Sequence, residues 1–242
     1  MKVAVISDVH SNLPALEAVL AWIEADDVDE LWCLGDLTGY GAEPARCIDI
    51  VLDRAAVCLA GNHDMVITGE IDIAMFSSDA RAAAEWTRGV LDADVLARLR
   101  ELHPSGERHG VELYHASIRD PVWEYVIDDR TAAICLETQG SPLSLIGHSH
   151  VPLAYGYEGD TFVGGMAGAE TELTTLPGPF LLNPGSVGQP RDGDPRAAYL
   201  LLDLDTGRAR WRRVDYDVQD AQRAIREAGL PLRLGARLAE GR

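Results

Sequence analysis

The chain carries seven histidines, and five of them fall just past a predicted strand end, four of these beside Asn, Gly or Ser. The first lies in residues 2–12, where an apolar run holding Val3, Val5 and Ile6 stops at Asp8 and His10. Two positions apart in extended chain, a carboxylate and an imidazole point to the same side and can share one metal ion. The event recurs. Residues 30–34 run into Gly35-Asp36, 55–60 into Gly61-Asn62-His63-Asp64, 111–114 into His115, and 143–146 into Gly147-His148-Ser149-His150. One such histidine is more often a satisfied structural residue than a ligand. Five of them, each at a strand end, point to a shared site.

The elements that must position these residues follow from periodicity. Val3 to Ile6 scarcely alternate, which predicts a strand buried on both faces, and its carboxyl end is where open α/β sheets bind ligands. Residues 14–23 predict a helix capped by Asn12, with Pro14 in its first turn and Leu16, Val19, Leu20 and Ile23 facing the sheet. A strand over 30–34, a helix over 44–52 and a strand over 55–60 follow. Residues 65–102 have no strand character and predict a helical excursion, with Ser78 and Asp92 as caps. Asp128 or Asp129 opens a further helix that Gly140 closes. From residue 152 the period changes. Short apolar segments at 153–157, 161–163, 172–176 and 180–182, separated by Gly and Pro, predict an antiparallel region. Residues 197–203 read as a central strand, and the arginine-bearing 208–216 as an edge strand. Asp217 caps an amphipathic helix to about residue 228, and 231–242 predict one more short helix. No repeat or linker divides the chain, so one α/β domain spanning 1–242 is expected.

Composition narrows the function. A length of 242 residues suits one domain with a full core. The net charge of −18 repels nucleic acid, so a polymer of DNA or RNA is not an expected partner. Four cysteines form no Cys-x-x-Cys pair, and three lie in apolar runs, as free thiols in a reduced compartment do. Lys2 leads straight into a core strand rather than a signal peptide, and no apolar run approaches the roughly 20 residues of a membrane span. A cytoplasmic protein without a membrane partner is expected.

Taken together, Asp8-x-His10, Gly35-Asp36, Gly61-Asn62-His63-Asp64, His115 and Gly147-His148-Ser149-His150 resemble, in order and spacing, the five signature blocks of the calcineurin-like metallophosphoesterases. Residues 114–125 and the loop Asn183-Pro-Gly-Ser-Val-Gly-Gln-Pro-Arg191 resemble the small prokaryotic phosphodiesterase branch. The resemblance implies a two-sheet α/β/β/α sandwich, with mixed sheets and helices outside, holding two divalent metal ions per chain. Asp8, His10 and His150 would complete one ion's site, and Asn62, His115 and His148 the other's. Asp36 would bridge them, because only a carboxylate offers two hard oxygens to two cations. Such a pair, roughly 3.5–4 Å apart, binds one phosphate and activates a hydroxide for attack on phosphorus. Mn²⁺ is the expected metal, with Fe, Zn²⁺ or Ni²⁺ as alternatives. His63 would be the general acid rather than a ligand, protonating the departing oxygen.

Departures from the superfamily refine this expectation. Its protein phosphatases carry Gly-Asp-x-x-Asp-Arg-Gly, whereas this chain reads Gly35-Asp36-Leu-Thr-Gly39-Tyr40-Gly41. The arginine that grips phosphate and the acid that orients the histidine are missing, which argues against a protein phosphatase. Arg191, with Arg119, is the candidate for the missing positive charge. Asp64 is the neighbour that could orient His63, and Tyr40 is either a stacking surface for a base or leaving group or a structural ring. The expected activity is hydrolysis of small phosphodiesters. A phosphomonoesterase or dinucleoside polyphosphate hydrolase, and an inactive scaffold of this fold, are the alternatives. A homo-oligomer joined through 65–102 is a further expectation.

Overall fold

The apolar runs that precede the polar residues do form strands. In this computed structural model, which describes residues 1–242, the chain runs β1 (Lys2–Ile6), α1 (Leu13–Asp26), β2 (Glu30–Cys33), α2 (Pro44–Arg54), β3 (Ala55–Cys58) and α3 (Asn62–Thr68). It continues through α4 (Ser78–Val90), α5 (Ala93–Arg100), β4 (Ser105–Arg108), β5 (Val111–Tyr114), α6 (Asp129–Thr138) and β6 (Leu143–Leu145). The remainder is β7 (Leu153–Glu158), β8 (Thr161–Met166), β9 (Glu172–Thr174), β10 (Phe180–Asn183), β11 (Ala197–Asp203), β12 (Arg208–Val214), α7 (Val218–Glu227) and α8 (Leu232–Leu238). No helix is long and apolar enough to cross a membrane.

Two six-stranded mixed sheets result, ordered β3-β2-β1-β11-β12-β9 and β4-β5-β6-β10-β7-β8. In the first, β1, β2 and β3 are parallel and β11 runs against β1. In the second, β5, β6 and β10 are parallel. Val3 and Val5 join Trp32, Leu34, Leu113, Leu145 and Leu182 in the cluster between the sheets. Their alternates Ala4 and Ile6 join Leu16, Val19, Ile48 and Val51 of α1 and α2 on the outer face. The near-continuous apolar character of β1 thus reflects burial on both sides. On the other outer face, Ala132, Cys135 and Leu136 of α6 pack on Ile146 and Leu181. The layering is α/β/β/α, as the sequence resemblance implies. The cysteines are free, with Cys33, Cys47 and Cys135 buried.

Several local expectations need correction. Residues 208–216 do not form an edge strand. β12 pairs with β11 over its whole length and with β9 through three residues, because Arg208, Arg210 and Arg212 find Glu172 and Glu170 on and beside β9. β4 has no apolar periodicity to betray it, since Ser-Gly-Glu-Arg is almost wholly exposed and is held by its pairing with β5 and by the ion pair of Arg108 with Glu30. Asp128 caps α6 by accepting from the Thr131 N–H at 2.9 Å, but the helix ends at Gln139 with φ −61°, not on a left-handed Gly140. The first of the two caps foreseen in 65–102 is Ser77, one residue earlier. Asn62 and His63 lie in the first turn of a helix, α3, that periodicity did not indicate.

Between the sheets, Leu145 is fully buried. Leu145→Ala should lower unfolding free energy by about 2–5 kcal/mol, the cost of a core leucine deletion, read as a reduced urea midpoint with an unchanged slope.

Candidate metal centre

The parallel strands of both sheets end at one edge, and the polar residues gather there. They do so in strained backbone rather than in extended chain. Asp8, His10, Asp36, His148 and His150 have φ of 54°, 48°, 54°, 62° and 59°. The extended Asp8–His10 pairing expected from spacing is therefore wrong in its geometry, although both side chains still reach one cluster. The two loops interlock instead, with the Asp8 N–H donating to the Gly35 carbonyl and the His10 N–H to the Asp36 carbonyl, both at 3.0 Å. Left-handed backbone at non-glycine residues costs of order 1–3 kcal/mol each and clusters where function over-determines it. At Gly61 no β-carbon is tolerable, because it would overlap the Asp36 carboxylate.

Asp8, His10, Asp36 and His150 converge so that one donor atom from each lies within 4.8 Å of the others, and Asp36, His115 and His148 converge likewise. Asp36 is the shared member. Its Oδ2 lies 3.5 Å from His10 Nε2 and 3.6 Å from His115 Nε2. His150 Nε2 lies 3.4 Å from Asp8 Oδ1, and Asn62 Oδ1 lies 3.2 Å from His115 Nε2. All seven expected ligand positions are thus brought together, and all are buried.

Hydrogen bonds behind the rings set which nitrogen faces inward. Nδ1–H donates to the Thr38 carbonyl from His10 (2.8 Å), to the Leu34 carbonyl from His115 (2.9 Å) and to the Gln189 carbonyl from His150 (2.6 Å). Each Nε2 therefore turns a lone pair into the cluster, the arrangement found behind metal-binding imidazoles. His10 and His150 Nε2 stand 3.1 Å apart, two acceptors with no proton between them. Asp8 Oδ1 and His148 Nε2 are buried without any hydrogen-bond partner. One cation in each ligand set would satisfy every one of these atoms, so the residues present fit a pair of divalent ions.

Electrostatics agree. Burial pushes the Asp8 carboxyl up to about 7, and burial with the neighbouring Asp64 charge pushes Asp36 well above the usual carboxylate range. Burial likewise holds His10, His63 and His150 well below the ordinary imidazole value and His148 down to about 2. Buried carboxylates without a counter-charge are costly, and neutral imidazole is the form that binds a metal.

His63 stands over the cluster but outside both ligand sets. Asp64 does not orient it. That carboxylate accepts instead from the N–H groups of Leu37 (3.2 Å), Thr38 (3.0 Å) and Gly61 (3.0 Å) and from the Thr38 hydroxyl (2.7 Å), tying the Asp36 loop to the Asn62 turn. The His63 ring is held by Phe76, at 4.4 Å between centroids, and by the Tyr40 hydroxyl, 3.1 Å from Nε2. Arg191 Nη2 donates to the Gln189 side chain (2.9 Å) and to the same Tyr40 hydroxyl (3.4 Å). Arg119 is committed to Glu124 through a two-pronged ion pair and does not line the cleft, so its expected phosphate role is not supported. Sequence reasoning also missed Asn183, whose amide donates to the Gly147 carbonyl (2.7 Å) and Ser149 hydroxyl (3.0 Å) and so braces the His148–His150 turn. Its place at the head of the 183–191 loop was the available signal.

With this geometry in view, the comparisons with known proteins are informative. Residues 1–207 match the calcineurin-like phosphoesterase superfamily domain. The chain belongs to that superfamily. A metallophosphoesterase from Sphaerobacter thermophilus is similar to it, with 39% identity, coverage of 100% of this chain and 99% of that one, and a TM-score of 0.89. An uncharacterized protein of Methanocaldococcus jannaschii is 35% identical over 99% of this chain and 98% of its own. A hypothetical protein of Pyrococcus horikoshii shares the fold at 18% identity, with 100% and 98% coverage and a TM-score of 0.77. Membership of the calcineurin-like superfamily implies a phosphoester hydrolase, and the buried Asp/His cluster suggests divalent metal ions as its cofactors.

Two outcomes follow for this centre. Asp64→Ala strands three backbone donors, at about 1–3 kcal/mol each, and should cost roughly 3 kcal/mol or more in urea unfolding, with Asp64→Asn recovering part of the loss. Protonation sets the second. Four imidazoles (His10, His63, His148, His150) are lowered and two carboxylates (Asp8, Asp36) raised. Between pH 3.8 and 6.5 the unfolded chain gains up to four protons on the imidazoles, and the folded chain keeps up to two on the acids. The unfolded state therefore binds more, and stability rises with pH. The Tm of chelator-treated protein should climb from pH 5 to 6.5; a falling Tm contradicts the assignment.

Proposed function

We propose that the chain is a dinuclear metal-dependent phosphodiesterase acting on small phosphodiesters. The observation that carries the reading is Asp36 Oδ2 lying nearly equidistant from an imidazole of each ligand set, 3.5 Å from His10 and 3.6 Å from His115. Asp8, His10, Asp36 and His150 would hold one ion, and Asp36, Asn62, His115 and His148 the other, with Mn²⁺ as the metal the donor set suits best. When bound, such a pair supplies Lewis-acid polarisation of phosphoryl oxygens and an ionised water at neutral pH.

The chain's own residues do the rest. Asp36, Asn62, His148 and His150 line a cleft of about 190 Å³ together with His63, Tyr40 and Arg191. Arg191 is the one cationic side chain of that lining. A single guanidinium matches the single negative charge of a diester better than the double charge of a monoester. Its Nε is buried without a partner, a donor ready for a phosphoryl oxygen. Burial, reinforced by the Arg191 guanidinium, holds His63 well below the ordinary imidazole value and keeps it neutral. An entering phosphate anion opposes that effect and favours the imidazolium, so with substrate bound His63 takes up from solvent the proton that it passes to the departing oxygen. The Tyr40 hydroxyl and the Phe76 ring hold His63 for this transfer.

The test uses Mn²⁺-loaded protein and one chromogenic leaving group. Bis(4-nitrophenyl) phosphate should be cleaved faster than 4-nitrophenyl phosphate, and the opposite order would assign a phosphomonoesterase. His63→Ala should lower kcat by about 10²–10⁴ while two metals per chain persist by elemental analysis, and the loss should be greater for alkoxide than for nitrophenolate leaving groups. Asp36→Asn should lose metal as well as activity.

A further inference from the structure

The mouth of the cleft is aromatic beyond anything that phosphoryl transfer itself requires. The Phe76 ring, already against His63, meets Trp123 edge-on at 6.3 Å and 85°. Two residues on in the same loop, Tyr125 stacks on the His148 ring at 4.1 Å and 28°. Met75 sits at the rim, 66% exposed, and Tyr125 is 46% exposed although one face of its ring is covered by His148. Trp123, Tyr125, Phe76 and Met75 all line the same cleft as Asp36 and Arg191. Large apolar side chains left open to water around a polar centre mark a recognition surface. The volume limits what can enter. About 190 Å³ is below the roughly 300–1,000 Å³ of sites for drug-sized ligands, which leaves room for one phosphoryl group and one flat group beside it.

We propose that this centre selects phosphoesters carrying a single planar aromatic group, stacked on the aromatic rings of Trp123 and Tyr125 that line the cleft. The inference rests on the phosphodiesterase reading above and names its substrate class. Both a nucleobase and a simple aryl ester present a flat π-face to these rings, and π-stacking is tolerant of which ring it meets. The acidic surface, with a net charge of −18, keeps long polyanions away, so the aromatic group belongs to a small molecule.

The test is binding to Mn²⁺-loaded protein by calorimetry, independent of turnover. The paired probes are AMP against ribose 5-phosphate and phenyl phosphate against methyl phosphate, with inorganic phosphate as reference. Stacking on one ring is worth roughly tenfold in affinity, so at least one aromatic probe should bind about ten times more tightly than its partner. Preference in the first pair identifies a nucleobase, and preference in the second an aryl group set directly on phosphorus. In Trp123→Leu and Tyr125→Leu, which keep apolar bulk but remove the ring, the affinity ratio should fall towards one. The aromatic probe should also quench tryptophan fluorescence in the wild type and much less in Trp123→Leu. Equal affinities within both pairs, with inorganic phosphate still bound, overturn this inference and leave the phosphodiesterase reading intact. Failure of every probe to bind, with no ester hydrolysed, removes the metal-centre reading and this one with it.

Discussion

The structure depends on one unfavourable arrangement, two carboxylates and four imidazole lone pairs held out of water around a common point. Asp8 and Asp36 are at most 1% exposed, and burial alone is enough to drive both towards protonation. The rings do not relieve them, because backbone carbonyls already take the Nδ1 protons of His10, His115 and His150. Hydrogen bonding within the chain therefore cannot satisfy the cluster. Positive charge from outside can, and a divalent ion delivers more of it per unit volume than any side chain. The fold stores an electrostatic deficit at the place where a phosphate must later be held.

Keeping that deficit in place requires rigidity on both sides, and the two sheets provide it differently. In the first sheet the loops after β1 and β2 are crossed and pinned by backbone hydrogen bonds, and Asp64 ties the second of them to the turn after β3. In the second, the His148–His150 turn is braced by Asn183 at the end of β10 and by the Gln189 carbonyl from the loop that follows it. The Ser186 hydroxyl, from that same loop, donates to the Asp8 carbonyl at 2.8 Å and couples the sheets directly. Five left-handed ligand residues would each relax if the loops came apart. Packing between the sheets holds the strand ends close enough to prevent it.

This division explains what could be read from the chain alone. Strand ends followed by ligand types were legible, because Val3, Val5 and Ile6 announce a buried strand and Asp8 and His10 announce its end. The seven converging positions were found that way, with the superfamily resemblance supplying their pairing. What escaped was whatever depends on long-range contacts without an apolar signature. β4 is exposed and polar, so only its partner reveals it. β12 looked like an edge because arginines usually face solvent, and the glutamates that receive them stand some forty residues away in sequence. The left-handed φ values at Asp8 and His10 were invisible for a similar reason. Both residues tolerate that region, but nothing local demands it, and the demand comes from the crossing loop at Gly35 and Asp36.

The departure from the protein-phosphatase pattern is best understood as an exchange. Where that pattern has an acid and an arginine, this chain has Gly39 and Tyr40, and the structure uses both. A β-carbon at Gly39 would run into His63 Nδ1, so no acid can occupy that position while the ring stays where it is. The next residue turns back in the left-handed region at φ 54°, which brings the Tyr40 ring within 4.5 Å of His63 between centroids and its hydroxyl to Nε2. The positive charge that is lost at position 40 reappears on Arg191, from the opposite sheet, against the same hydroxyl. One substituted loop thus replaces a charged clamp with a neutral hydroxyl set against His63. Under the phosphodiesterase reading proposed above, that trade suits a compact, singly charged substrate better than the doubly charged group of a phosphorylated protein chain.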